Sequence, residues 1–165
     1  MHISMTFLNP GDEVLLPDPG YPTYSSVSKL LDAKERNYEL KAENNWLPDL
    51  EKLGQEDLSK VKLMWVNYPH MPTGSVAPDS FFAELTAFAE KHMILVVNDN
   101  PYSFIQNDDP KSILQKDGLS DYVMELNSLS KSFNMAGWRV GMLTGRQKNI
   151  NSVLKVKSNM DSGMF

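Results

Sequence analysis

The chain has 165 residues, 41% of them hydrophobic and 22% charged, with a formal net charge of -5. That is the length and balance of one ordinary globular domain, and no apolar run approaches the roughly 20 residues that a membrane-spanning helix needs. The negative charge argues against a nucleic-acid partner, and the absence of cysteine removes disulfides, thiolate nucleophiles and Cys-based zinc sites together.

In chain order, "MHISMTFLNPGDEV" has no basic region leading into an apolar stretch, so it is not a signal peptide, and a cytoplasmic location is expected. A short apolar segment there runs straight into "NPGDEV", and the far end, "SNMDSGMF", stops without a closing element. Both ends read as those of a piece of something longer. Between them, five runs are nearly continuous in apolar residues: "EVLLP" (13–17), "VKLMWVNYP" (61–69), "MILVVND" (93–99), "DYVMELNSLS" (121–130) and "GMLTG" (141–145). Such runs are expected of strands covered on both faces. Helices are expected from Tyr21 to Asp32, briefly in "LPDLEKL" around Pro48, through "PDSFFAELTAFAEKH", and from Arg146 through "RQKNINSVLKVK". In the third of these, Phe81, Phe82, Leu85, Phe88 and Ala89 recur at helical spacing as a core face, with Pro78 suited to the first turn. "AENN" and "QNDDPKS" read as surface loops. Strands alternating with helices predict an α/β domain built on a parallel sheet.

In open sheets of this kind ligands bind beyond the carboxyl ends of the strands. The segments that follow three of these strands are "NYPHMPTG", "NDNPYS" and "NSLSKSFNMAGWRVG". Lys131 follows small hydroxyl residues and precedes a Gly-containing loop; its amine is either a partly desolvated nucleophile toward a carbonyl or a solvated loop lysine. Arg139, between Gly137 and Gly141, offers a fork of donors to a phosphate or carboxylate, or else forms a surface salt bridge. Ser128 and Ser130 add hydroxyls, and strand alternation puts both on one side. Asp99 ends a buried strand, where a carboxylate needs a partner, unless it only caps a turn. Tyr102 follows in a Pro-bearing turn. Histidine occurs at positions 2, 70 and 92, with no HxxxH or HExxH spacing, so no metal site is expected.

"SLSKSFNMAGWRVG" resembles the lysine signature of class I/II aminotransferases, the fold type I family that uses pyridoxal 5'-phosphate. "NYPHMPTG" is similar to that family's Asn-Pro-Thr-Gly loop, "NDNPYS" to its Asp-x-x-Tyr element, and "PDPGYPTY" to the aromatic segment that covers the cofactor ring. Four motifs in the family's order make the match specific. The resemblance implies a three-layer α/β/α sandwich with a mostly parallel sheet, of which residues 1–165 are the central part of the large, cofactor-binding domain. It implies that Lys131 joins the cofactor aldehyde and shuttles the proton between the substrate's α-carbon and the cofactor's C4' carbon, while Asp99 keeps the pyridine nitrogen protonated. Tyr102 would bond the ring's phenolic oxygen and Tyr21 would stack on the ring. Arg139 and Ser128 would bind the phosphate, with Ser130 beside them.

One departure is Met71, where the family has an Asn that donates to the phenolic oxygen; Asn67 or His70 are the neighbours able to compensate. The other is extent, because the family's phosphate loop before this segment and its small domain after it, with the arginine that grips the substrate carboxylate, are not in these 165 residues. The resemblance implies transamination between an amino acid and a 2-oxo acid by a homodimer, with this segment alone inactive. A lyase or synthase on the same scaffold, and a non-catalytic cofactor-binding regulator, are the alternatives.

Overall fold

The computed structural model describes residues 1–115, 119–161 and 163; of the terminal "SNMDSGMF", residues 162, 164 and 165 lie outside the described residues. Six strands, β1 (Glu13–Asp18), β2 (Lys34–Glu39), β3 (Val61–Val66), β4 (Leu95–Asp99), β5 (Val123–Ser128) and β6 (Gly141–Gly145), form one sheet in the order β2-β1-β3-β4-β5-β6. The first five are parallel, and β6 is antiparallel to β5. The helices are α1 (His2–Phe7), α2 (Pro22–Leu30), α3 (Leu50–Leu53), α4 (Asp79–His92), α5 (Leu129–Ser132) and α6 (Gln147–Met160).

Strand alternation divides the core into two layers of side chains. Val14 and Leu16 of β1, Leu63 and Trp65 of β3, Leu95 and Val97 of β4 and Met124 of β5 pack with Ile3 of α1, Tyr24 of α2 and Val153 of α6. On the other face Leu15, Met64, Val66, Val96 and Val123 pack with Leu53 of α3 and with Phe81, Phe82, Leu85, Phe88 and Ala89 of α4. The result is the three-layer α/β/α sandwich expected, with the core face of α4 as read from its spacing. Pro78 is the residue that caps α4, extended and immediately before the first turn.

Three readings need correction. β2, "KERNYE", has no apolar run, yet it pairs in parallel with β1 along its whole length. Of its residues only Tyr38 is buried, its hydroxyl donating to the Trp65 carbonyl at 2.6 Å. Charged residues suit an edge strand, where they discourage pairing with another chain. The run "GMLTG", expected as a core strand, forms β6, which among the described residues lies at the end of the sheet beside β5, with Met142 60% exposed. The short connection from β5 contains no long crossover helix, so the chain returns antiparallel. Finally, β5 stops at Ser128 and α5 begins at Leu129, so Ser128 and Ser130 do not share a strand face. Their common orientation has another origin, described below.

Candidate active site

The carboxyl ends of β1, β3, β4 and β5 open onto one cavity of about 400 Å3. Strand order reverses between β1 and β3, the position where open α/β sheets leave a crevice. All seven residues singled out above line this cavity: Tyr21, Asp99, Tyr102, Ser128, Ser130, Lys131 and Arg139. They come from four separate segments, so their convergence is a product of the fold.

Tyr21 stands at the entrance to α2, one residue before the helix, delivered by the turn "PDPG". Gly20 is required there, because a Cβ would fall 2.4 Å from the Pro17 carbonyl oxygen. The Tyr21 ring meets Tyr24 edge to face, with centroids 5.6 Å apart. Asp99 is the last residue of β4, and its Oδ2 accepts a hydrogen bond from the Tyr24 hydroxyl at 2.6 Å. Burial pushes the Asp99 carboxyl above the usual carboxylate range, and the Tyr24 hydroxyl and the chain's amino terminus oppose that. Burial also raises the Tyr102 phenol, with the nearby Asp99 charge adding to it.

Ser128 caps α5, its Oγ accepting from the Ser130 amide at 3.1 Å. That leaves the Ser128 hydroxyl hydrogen free to donate. The turn of α5 that follows, not strand alternation, brings Ser130 and Lys131 to the same wall. Lys131 is exposed, which is the solvated one of the two readings its sequence setting left open. Arg139 is also exposed and adopts a left-handed φ of 55°, with Nη1 donating to the Ala136 carbonyl at 2.9 Å; the ion pairs found among the described residues do not include it. Gly141 follows, and a Cβ there would lie 2.9 Å from the Asn127 carbonyl oxygen, so glycine is what lets β6 close on β5 beside the site.

The neighbours of Met71 have other duties. Asn67 donates to the Asp99 carbonyl at 2.6 Å and accepts from the Met71 amide at 2.9 Å. His70 is buried between the Thr73 hydroxyl at 2.8 Å and the Pro19 carbonyl at 3.1 Å. Because a carbonyl only accepts, Nε2 carries the hydrogen and Nδ1 accepts from Thr73. His70 does not reach the cavity wall, whereas Asn67 and Met71 do.

Among the polar lining residues, Tyr24 and Asn127 were not singled out from the sequence. Asn127 donates to the Asn100 carbonyl at 3.1 Å, bracing the turn after Asp99 from β5 as Asn67 braces it from just beyond β3. The signal for Tyr24 was its place one helical turn beyond Tyr21. Among the described residues no group of three His, Asp or Glu is disposed to hold a metal ion, and no helix is long and apolar enough to cross a membrane. The polar groups that line this cavity include a carboxylate, an amine, two serine hydroxyls, a guanidinium and phenol rings, a set suited to an organic anion that also carries a cationic group.

Known proteins carry the same arrangement of chain. A family model described as aminotransferase class I and II matches residues 1–162. An LL-diaminopimelate aminotransferase of Dehalococcoides mccartyi is 48% identical over 165 residues, which are 99% of this chain and 42% of that protein. One of Halothermothrix orenii is 45% identical, with 99% and 43% covered. Among solved structures, apo-BacF from Bacillus subtilis superimposes with a TM-score of 0.94 at 41% identity, over 99% of this chain and 42% of that one. An aminotransferase from Staphylococcus aureus gives 0.91 at 36%, with 99% and 44% covered. The chain thus spans less than half the length of these relatives. With nearly all of its residues matched by the family model, the chain belongs to the class I and II aminotransferases.

Proposed function

We propose that the cavity binds pyridoxal 5'-phosphate and that the whole protein transfers an amino group from an amino acid to a 2-oxo acid, as a cytoplasmic homodimer. The observation that carries this is the meeting of Asp99, Lys131, Ser128 and Arg139 on one cavity. The donor set suits the cofactor end for end. Asp99 is a carboxylate for a protonated ring nitrogen. Ser128, Ser130 and Arg139 supply hydroxyl and guanidinium donors for a phosphate dianion, and Lys131 supplies the amine for an aldehyde.

When bound, the cofactor supplies an aldehyde that exchanges amines and a cationic ring that withdraws electrons from the substrate's α-carbon. The chain's residues do the rest. Asp99 holds the proton at the ring nitrogen. Lys131 Nζ would take the proton from the substrate's α-carbon and deliver it to the cofactor's C4' carbon. Tyr21 covers a ring face and Tyr102 donates to the ring's phenolic oxygen. Met71 offers no donor beside it, which leaves Tyr102 as the hydroxyl contact there.

The names of the relatives favour a diaminopimelate-type amino donor for the whole protein. Competition among LL-diaminopimelate, aspartate and aromatic amino acids, with 2-oxoglutarate as acceptor, tests that choice. For the chain itself, pyridoxal 5'-phosphate should produce an absorbance band at the edge of the visible range that is lost in Lys131→Ala. No band in the wild type would overturn cofactor binding by these residues.

A further inference from the structure

Tyr24 is buried in α2, and its ring lies flat on Trp65 of β3, with centroids 4.8 Å apart and planes 9° from parallel. Stacking fixes the ring, and through it the hydroxyl that donates to Asp99 Oδ2 at 2.6 Å. The peptide of Asp99 is fixed separately by Asn67. The carboxyl is thus gripped from α2 and the Asp99 backbone by Asn67, which follows β3 immediately and lies two residues beyond Trp65.

We propose that Tyr24 is a positioning residue for Asp99: it takes Oδ2, fixes the carboxyl plane, and leaves Oδ1 as the oxygen presented to a cationic ring nitrogen in the cavity. The proposal rests on the cofactor reading above. Tyr24 also supplies charge control, since a hydroxyl bonded to the ionised carboxylate favours that form where burial opposes it. The other ionisable groups about Asp99 are Tyr21 at the start of α2, Tyr102 in the turn after β4 and the chain's amino terminus. Lys131 and Arg139 line the same cavity. Of all these, Tyr24 is the one hydrogen-bonded to the carboxyl. Its own phenol is pushed well up, first by burial and then by the Asp99 charge, so it acts as a donor and not as a second anion.

Tyr24→Phe keeps the ring on Trp65 and deletes only the hydroxyl. Two quantities are read: the Asp99 13Cγ titration by NMR in the cofactor-free chain, and the dissociation constant of pyridoxal 5'-phosphate at neutral pH. In the variant the Asp99 midpoint should move up, and cofactor affinity should fall about tenfold, the scale of one hydrogen bond to a charged group. An unchanged midpoint overturns the proposal. Should the variant not fold, the wild type still decides: its Tyr24 phenol should stay protonated through about pH 11, and ionisation near the free-phenol value of about 10 would refute the buried donor. If the wild type takes up no pyridoxal 5'-phosphate, the cofactor reading fails while the Asp99 titration continues to decide the role of Tyr24.

Discussion

Replacing Asp99 by Asn should make the cofactor-free chain more stable at neutral pH. The carboxylate sits at the end of a buried strand with one neutral hydroxyl on Oδ2. Desolvating a carboxylate in a folded protein costs several kcal/mol, and a hydrogen bond to a charged group returns about 1.5–3 kcal/mol, so an unfavourable remainder of about 1–2 kcal/mol is expected. Asparagine keeps an oxygen for Tyr24 and removes the charge. The sign in pH follows from the direction of the shift. Asp99 is raised in the folded state, so its favourable contribution is fully present below the unfolded carboxyl value of about 3.9 and is lost as pH rises through the raised folded value. The gap between Asp99→Asn and wild type should therefore be small in acid and grow toward neutrality. At pH 7 it should reach about 2–8 °C in melting temperature for a chain of this length, read by circular dichroism. A variant less stable than wild type at pH 7, or a gap indifferent to pH, would show that the buried Asp99 charge is not a net cost to the fold. The same variant should bind pyridoxal 5'-phosphate more weakly, the trade of stability for function typical of charged sites.

Other substitutions probe the surroundings. Met71→Asn should tighten pyridoxal 5'-phosphate binding about fivefold, the value of one added neutral hydrogen bond of about 1 kcal/mol, in an equilibrium titration. His70 is held below its ordinary value by burial, so its contribution is present above about pH 6.5 and is lost as pH falls through the lowered folded value. Denaturant midpoints should accordingly drop between about pH 7 and 5 in the wild type and flatten over that window in His70→Gln. Gly141→Ala should cost about 1–3 kcal/mol in urea unfolding, because its Cβ must push β6 away from the Asn127 carbonyl.

How far the fold could be read in advance depended on burial. β1, β3, β4 and β5 carry apolar side chains on both faces of the sheet, and each produced a run that needs no context to recognise. β2 escaped because an edge strand needs little apolar surface; its place is held by backbone pairing and by Arg36, which bonds Glu13 and Glu56. β6 was read as a strand from "GMLTG", but its antiparallel direction follows from the connection after β5, which no apolar run reveals. α1, six residues long, has no amphipathic pattern to betray it and is held by packing against α6 and β3. The site residues were legible because four short motifs follow strands, and strand ends share one rim. Tyr24 was not, because its meaning lies in a contact with a residue 75 positions away. The shared side of Ser128 and Ser130 was right in outcome and wrong in cause, a helical turn having replaced the expected strand.

Everything proposed for this cavity depends on its taking pyridoxal 5'-phosphate with Lys131 at the aldehyde. The most direct measurement is borohydride reduction of the chain incubated with the cofactor, followed by digestion and mass mapping of the peptides. One stoichiometric adduct is expected, on the peptide carrying Lys131, absent in Lys131→Ala. An adduct spread over surface lysines, or concentrated on a lysine outside the cavity, would contradict it.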